Sequence, residues 1–291
     1  MSNRDIRVKA TAIRESTDGM MTLFLAPVLI MVLSDILDRM WGQAGIVLWG
    51  NTFVKNGVTS TIHYISLGPS SLFDFLVQCL LVTACFQLIR VVRNEKSIVS
   101  FKECFSLLDG TNFLPIVVTI LLKQIFLYVA AFPTTVGVAL ILFSFYNSIF
   151  ILEATVGYSP DFSSLFNSTN LYLGLILMLV GIVLNLYINY GLSQVSFLLY
   201  DYLDKDMYTS PFKIFKQSWQ LMSGNKWRRF LLDLSFIGWF IGVILTLGLL
   251  GLYVFPYYWT CQALFYEDLI AKNPLVFSDE KHSLPQPLLK L

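Results

Sequence analysis

Histidine, charge and paired cysteines are scarce in this chain, and each scarcity closes a class of function. Only two histidines occur, His63 and His282, one in a loop between apolar runs and one near the C-terminal end. An HExxH zinc site or a histidine-based triad therefore lacks its material. The four cysteines, Cys79, Cys85, Cys104 and Cys261, have no CxxC spacing, and three lie in or beside apolar stretches. They read as buried, protonated thiols rather than a disulfide framework. Neither GxxxxGK[ST] nor GxGxxG appears, so nucleotide hydrolysis would have to come from another subunit. "GLSQV" at 191–195 lacks the second glycine of a nucleophile elbow. Tyr200-Asp201 lacks the GxGD partner of an aspartyl intramembrane protease. The expectation is no catalytic set, no metal and no cofactor.

Charge is thin as well. Charged residues are 13% and hydrophobic residues 56% of the chain, against about 25% and about 45–50% in an average soluble domain. Lys and Arg number 20 against 19 Asp and Glu, so no net charge draws the chain to nucleic acid. What matters is where the charges fall, and they fall between apolar runs.

Six apolar regions have the scale of a bilayer crossing, which takes about 20 helical residues: 20–37, 70–89, 114–132, 136–156, 171–200 and 230–266. Backbone polar groups in hydrocarbon must be satisfied within the chain, so such runs are helices or a closed barrel. Unalternating Leu, Ile, Val and Phe favour helices. The fold class expected is all-α, a polytopic transmembrane helical bundle of about six to eight crossings with one interfacial amphipathic helix. It is preceded by a basic segment at 1–19; the membrane domain covers 20–271 and a disordered tail 272–291.

Cytoplasmic loops carry the excess of Lys and Arg. The N-terminal segment holds Arg4, Arg7, Lys9 and Arg14; 90–102 holds Arg90, Arg93, Lys96 and Lys102; 205–229 holds six more. All three are expected inside, and 41–69, with Lys55 alone and Trp41, Trp49 and Tyr64, outside. Three apolar regions between 102 and 205 then conflict with a return to the same side. One region must not be a single span, and 171–200 is the candidate, bending near Gly191. Similar reasoning makes 230–266 a hairpin about "TLGLLG" at 246–251.

The stretch "QSWQLMSGNKWRRFLLDLSFIGWF", 217–240, sets dense positive charge against an apolar run. Before it, Phe212, Phe215, Trp219 and Met222 recur at helical spacing, the pattern of an interfacial helix over about 208–223 that Gly224 would end. Trp219, Lys226, Trp227, Arg228 and Arg229 are the expected anchors at headgroup level. Gly238 and Gly242 form a GxxxG, read chiefly as packing inside the bundle and secondarily as a dimer face.

Ionisable and amide groups within apolar runs are the remaining candidates, because each is costly in hydrocarbon unless paired or hydrated. Lys123, followed by Gln124, stands near the middle of its run, and Glu153 near the end of the next. Asn185, Asn189 and Ser193 step by fours, with Gln194 beside them. They are either interhelical hydrogen bonds or the lining of a polar path. Asp233 four residues after Arg229, and Arg39 four after Asp35, read as local ion pairs.

Residues Ser218, Met222, Gly224 and Lys226, the run 235–239 (SFIGW), Gly248 and Gly251, Pro256-Tyr257 and Phe265-Tyr266 resemble the C-terminal signature of an uncharacterised family of Gram-positive integral membrane proteins, domain-of-unknown-function family nine-seven-five. The resemblance implies a bacterial plasma-membrane protein and supplies no reaction. The chain departs from the family in lacking the Pro-Gly of the central hairpin, and in an extra segment around 133–165. The first functional expectation is a non-enzymatic polytopic membrane protein acting through partners: the lipid bilayer, and another membrane protein or a transport ATPase. It would serve as an accessory or protective component in envelope or peptide handling. A transporter or channel is the alternative, and an intramembrane enzyme the third.

Overall fold

The computed structural model describes residues 1–41, 46–55, 58–67, 69–106, 110, 112–146, 166 and 168–273, with the backbone alone at 35, 37–67, 69–72 and 146. The fold is helical apart from one hairpin. In chain order it comprises α1 (Asn3–Ser16), α2 (Met20–Leu23), α3 (Leu25–Trp41), β1 (Ile46–Lys55), β2 (Val58–Leu67), α4 (Pro69–Val92) and α5 (Phe113–Tyr146), then α6 (Thr169–Gly191), α7 (Val195–Asp204), α8 (Pro211–Leu221), α9 (Lys226–Leu234), α10 (Ile237–Leu245) and α11 (Gly251–Lys272). A short 3₁₀ turn, Phe101–Phe105, lies between α4 and α5. The antiparallel β1–β2 pair occupies the segment expected as an outer loop, and an all-helical reading leaves it out. Period-two patterning over so short a stretch, beside 20-residue apolar runs, is a weak signal.

Among the described residues, three helical stretches are long and apolar enough to cross a membrane: Phe73–Val92, Phe113–Phe145 and Thr169–Asp204, the last made of α6 and α7. The regions 114–132 and 136–146 are one continuous helix, because Pro133 does not break α5. A proline in a helix interior removes one N–H and crowds the carbonyl four residues back, a defect that neighbouring helices make tolerable in a membrane setting. The part of the fourth region beyond 146, with Glu153, lies outside the described residues. The region 230–266 is divided among α9, α10 and α11, with Leu247 and Gly248 at φ 51° and 90° in the turn between the last two, where the hairpin was expected. The first region falls on α2 and α3, whose stretch Leu25–Ser34 is apolar.

Two compact units divide the chain. The first comprises 1–36, 73–121 and 190–291. Its centre is built from Met20, Leu23, Phe24, Leu80, Ala84 and Leu88, all at most 2% exposed. All four cysteines are free and buried. α1 is not a loose basic segment. Ser2 and Asp5 close a reciprocal cap at its start, Ile6 and Ala10 are fully buried, and it lies along α11: Arg7 Nε donates to Tyr257 Oη at 3.1 Å, and the Arg14 guanidinium sits 4.2 Å over the Tyr253 ring.

The second unit, 37–72 and 122–189, holds the strand pair and most of α5 and α6. α5 and α6 run antiparallel: Leu127 meets Asn185, Thr134 meets Gly181, Gly137 meets Met178, and Ser144 meets Ser168. Glycine makes this approach possible. A Cβ on Gly137 would stand 2.4 Å from the Met178 nitrogen, and one on Gly181 would stand 2.3 Å from the Thr134 nitrogen. Small residues at such a crossing let two backbones touch, the usual packing where lipid supplies no hydrophobic drive. In the apolar windows of α5 and of the helix that starts at Thr169 only 17% of residues are buried, against 61% in α4. Most described residues of α5 and α6 thus keep part of their surface accessible.

Candidate functional site

The first unit gathers the chain's buried charge. Arg93, one residue past α4, grips Asp201 of α7 with both terminal nitrogens, at 2.7 and 3.0 Å, while its Nε donates to Glu267 of α11 at 3.0 Å. Tyr266 adds its hydroxyl to the second Asp201 oxygen at 2.5 Å and stacks on Phe197 at 5.4 Å. Asp201 is 1% exposed, so this bidentate pair is shielded from solvent and geometrically demanding. Burial opposes ionisation of Arg93, but Asp201 and Glu267 outweigh it and hold the guanidinium above its ordinary pKa. Burial pushes the Glu267 carboxyl up.

A second cluster joins α9 to α11. Arg229 and Asp233 form the expected i,i+4 pair at 3.4 Å. Tyr258 donates to Asp233 at 3.1 Å and Gln262 at 2.9 Å. A third surrounds Asp268, which meets the Met1 ammonium at 2.6 Å, Arg228 at 2.7 Å and Lys272 at 2.9 Å. Burial works against that carboxylate, yet these three cations hold its pKa well below the usual range.

The expected anchors divide accordingly. Trp227 is 68% exposed and stacks on Phe230, as an outward aromatic should. Arg229, expected at headgroup level, is 5% exposed and serves Asp233 and Tyr258. Arg228 serves Asp268. Lys226 places its Nζ 3.7 Å over the Trp219 ring, a cation–π contact. Trp219 itself packs on Gly191: a Cβ there would be 2.2 Å from the ring. The helix expected over about 208–223 is α8, Pro211–Leu221, entered through a Ser210 cap with Pro211 behind it and followed by Gly224 at φ +76°. Its buried face is Ile214, Phe215, Ser218 and Leu221, rotated from the expected one: Phe215 and Met222 are buried while Phe212 is 58% exposed. Ser218 donates to the Gly191 carbonyl at 2.8 Å, so this face packs on the protein. We expect Gly191→Ala to destabilise the protein by about 1–3 kcal/mol through overpacking, and Trp219→Leu to suppress that loss in the double variant; thermal unfolding in detergent measures both.

Each polar candidate has its own setting among the described residues. Lys123 and Gln124 are half-buried on α5. Asn185 donates to the Leu127 carbonyl at 3.3 Å, an interhelical bond. Asn189 is exposed. Ser193 falls after the end of α6, where it donates to the Tyr190 carbonyl at 2.9 Å and accepts from Gln194 at 3.0 Å. The stripe at spacing four is broken because the helix stops at Gly191. Gly238 and Gly242 likewise form no helix contact among the described residues. A Cβ on Gly238 would meet nothing within 4 Å, and one on Gly242 only the tip of Leu250. The close glycine crossing is in α5 and α6 instead.

Arg93, Asp201, Tyr266 and Glu267 were not singled out as a set by sequence reasoning. A carboxylate among apolar residues demands a partner, and that signal was present at Asp201. Its partner lies 108 positions away, and nothing local names it.

Among the described residues these features define a helical protein with three helical stretches fit by length and composition to cross a membrane, in which the buried Asp201, Arg229 and Asp268 are paired. The chain belongs to the family described as protein of unknown function (DUF975), whose model matches residues 1–273. Neither a curated protein nor a solved structure matches it.

Proposed function

We propose that this is a multi-pass plasma-membrane protein with a cytoplasmic N-terminus that has no catalysis of its own and acts through another membrane protein or a transport ATPase, as an accessory or protective component in envelope or peptide handling. The observation that carries the reading is the contrast between the two units. Most described residues of α5 and α6 keep part of their surface accessible, suited to lipid or a membrane partner. The buried charges of the first unit are meanwhile taken up by one another, as Arg93 is by Asp201 and Glu267. Among the described residues two long helices, α5 and α6, stand between the basic segments 90–102 and 205–229, and an even number of crossings there is what a common cytoplasmic side requires.

Single cysteines at Asn94 and Lys205, in a background freed of native thiols, should react with an impermeant reagent only from the cytoplasmic face. Reaction in intact cells at either position would refute the orientation. Mild-detergent purification should retain a stoichiometric membrane partner, and isolation of the chain always alone would refute the partner role. Transport is the second reading. It rests on Lys123 and Gln124, half-buried in an otherwise apolar helix. Liposome flux altered by Lys123→Ala would favour it, and absence of flux would remove it.

A further inference from the structure

A cavity of about 380 Å³ opens on α1 where that helix faces the end of α9 and the middle of α11. Asn3, Arg4, Arg7, Val8 and Thr11 line it from α1, one helical face, and Ser235 and Tyr257 line it from the other side. The polar atoms are sorted. Arg4 is exposed, and among the described residues no carboxylate lies within ion-pair distance of Arg4 or Arg7. The Tyr257 hydroxyl accepts from Arg7 Nε, which leaves its own proton for a ligand. The hydroxyls of Ser235 and Thr11 give their protons to the Leu232 and Arg7 carbonyls, so towards the cavity they are acceptors. The Asn3 side chain spends its N–H on the Arg228 carbonyl, and its Oδ1 is buried with no partner, an unmet acceptor that ordinarily has to be satisfied. The start of α1 is closed by its own Ser2–Asp5 cap, so the helix terminus contributes nothing to this.

The cavity therefore offers two guanidinium groups and a phenol O–H as donors, beside the Ser235 and Thr11 hydroxyl oxygens as acceptors, with the unmet Asn3 Oδ1 shielded from solvent. Guanidinium pairs suit phosphate oxygens, and the acceptors require hydroxyl or ammonium protons beside that phosphate. A lipid is favoured over a soluble phosphodiester by the rim. Val8 is 64% exposed, and α10 begins two residues beyond Ser235, with Ile237, Ile241 and Ile244 exposed by 53%, 54% and 74%, an apolar track for acyl chains. We propose that this cavity binds the headgroup of an anionic phospholipid whose phosphodiester is flanked by hydroxyl groups. The assignment rests on the membrane reading above.

Native mass spectrometry of the detergent-solubilised full chain tests it, with phosphatidylglycerol, phosphatidic acid, phosphatidylcholine and soluble glycerophosphoglycerol as separate probes. Phosphatidylglycerol should be retained at one site, above phosphatidic acid and far above phosphatidylcholine. Arg4→Gln, which breaks no ion pair among the described residues, should weaken it about fivefold, the effect of one surface cation on an anionic lipid. Arg7→Gln should do at least as much, Lys9→Gln on the same helix should not, and Asn3→Leu should erase the preference over phosphatidic acid. Equal weakening by Lys9→Gln, or none by Arg4→Gln in a protein that melts normally, would overturn the site. Tight binding of the soluble diester would overturn the lipid assignment. Recovery of the chain in the soluble fraction without detergent would instead sink the membrane reading.

Discussion

Arg93→Met is expected to cost about 3–5 kcal/mol of stability, the loss typical when one partner of a buried ion pair is removed and the other stays charged and unpaired. Asp201 would keep only the Tyr266 hydroxyl, and Glu267 would lose its guanidinium. Asp201→Asn should cost less, because Arg93 retains Glu267. The double variant should lose clearly less than the sum of the singles, since residues in one hydrogen-bonded network couple by about 0.5–3 kcal/mol. Denaturation in mixed micelles, followed by circular dichroism, gives all three values. Additivity within about 0.5 kcal/mol would mean that the three helix ends are not held by this network.

Gly181→Leu is expected to force α5 and α6 apart. Even the first added atom would lie 2.3 Å from the Thr134 nitrogen and 2.9 Å from the Pro133 carbonyl carbon. These are backbone atoms that no rotamer change clears. Overpacking costs about 1–3 kcal/mol where side chains can adjust, and this variant should fall at or beyond the top of that range. Gly137→Leu should behave alike, its Cβ lying 2.4 Å from the Met178 nitrogen. Gly238→Ala is the contrast, since nothing lies within 4 Å of its Cβ and surface changes stay within about 0.5 kcal/mol. The same micelle unfolding measurement decides, and a Gly181→Leu variant as stable as Gly238→Ala would contradict the crossing described here.

The glycines show what was legible. GxxxG at 238 and 242 is the better-known spacing, yet Gly238 faces open space and Gly242 only the tip of the Leu250 side chain, whereas Gly137, Gly174 and Gly181, on two helices far apart in sequence, bring backbones together. Spacing on one helix says that a face is small; it does not say that another helix lies opposite. Pro133 shows the same limit. As a local signal it breaks a helix, and it falls between the two expected runs 114–132 and 136–156, which α5 joins. The neighbour that sits against it, Gly181, is 48 residues downstream and belongs to α6. Gly191 was the reverse case: the expected bend is there, and it carried a further consequence, since it ends the Asn185-Asn189-Ser193 stripe. In α8 the helix and its Gly224 stop were legible, but the buried face was misplaced because Gly191 and Tyr202, not lipid alone, receive it.

The amino-acid sequence by itself determined the medium and the alphabet of this protein. Transfer from water to hydrocarbon is close to a sum over residues, so composition alone marks which runs prefer lipid and where the cations collect. Only the tertiary structure decided which of those groups meet. Arg93 with Asp201, Gly181 with Pro133, and Arg7 with Tyr257 are pairings between distant helices, and their free energy depends on separation and orientation, quantities that no single segment contains.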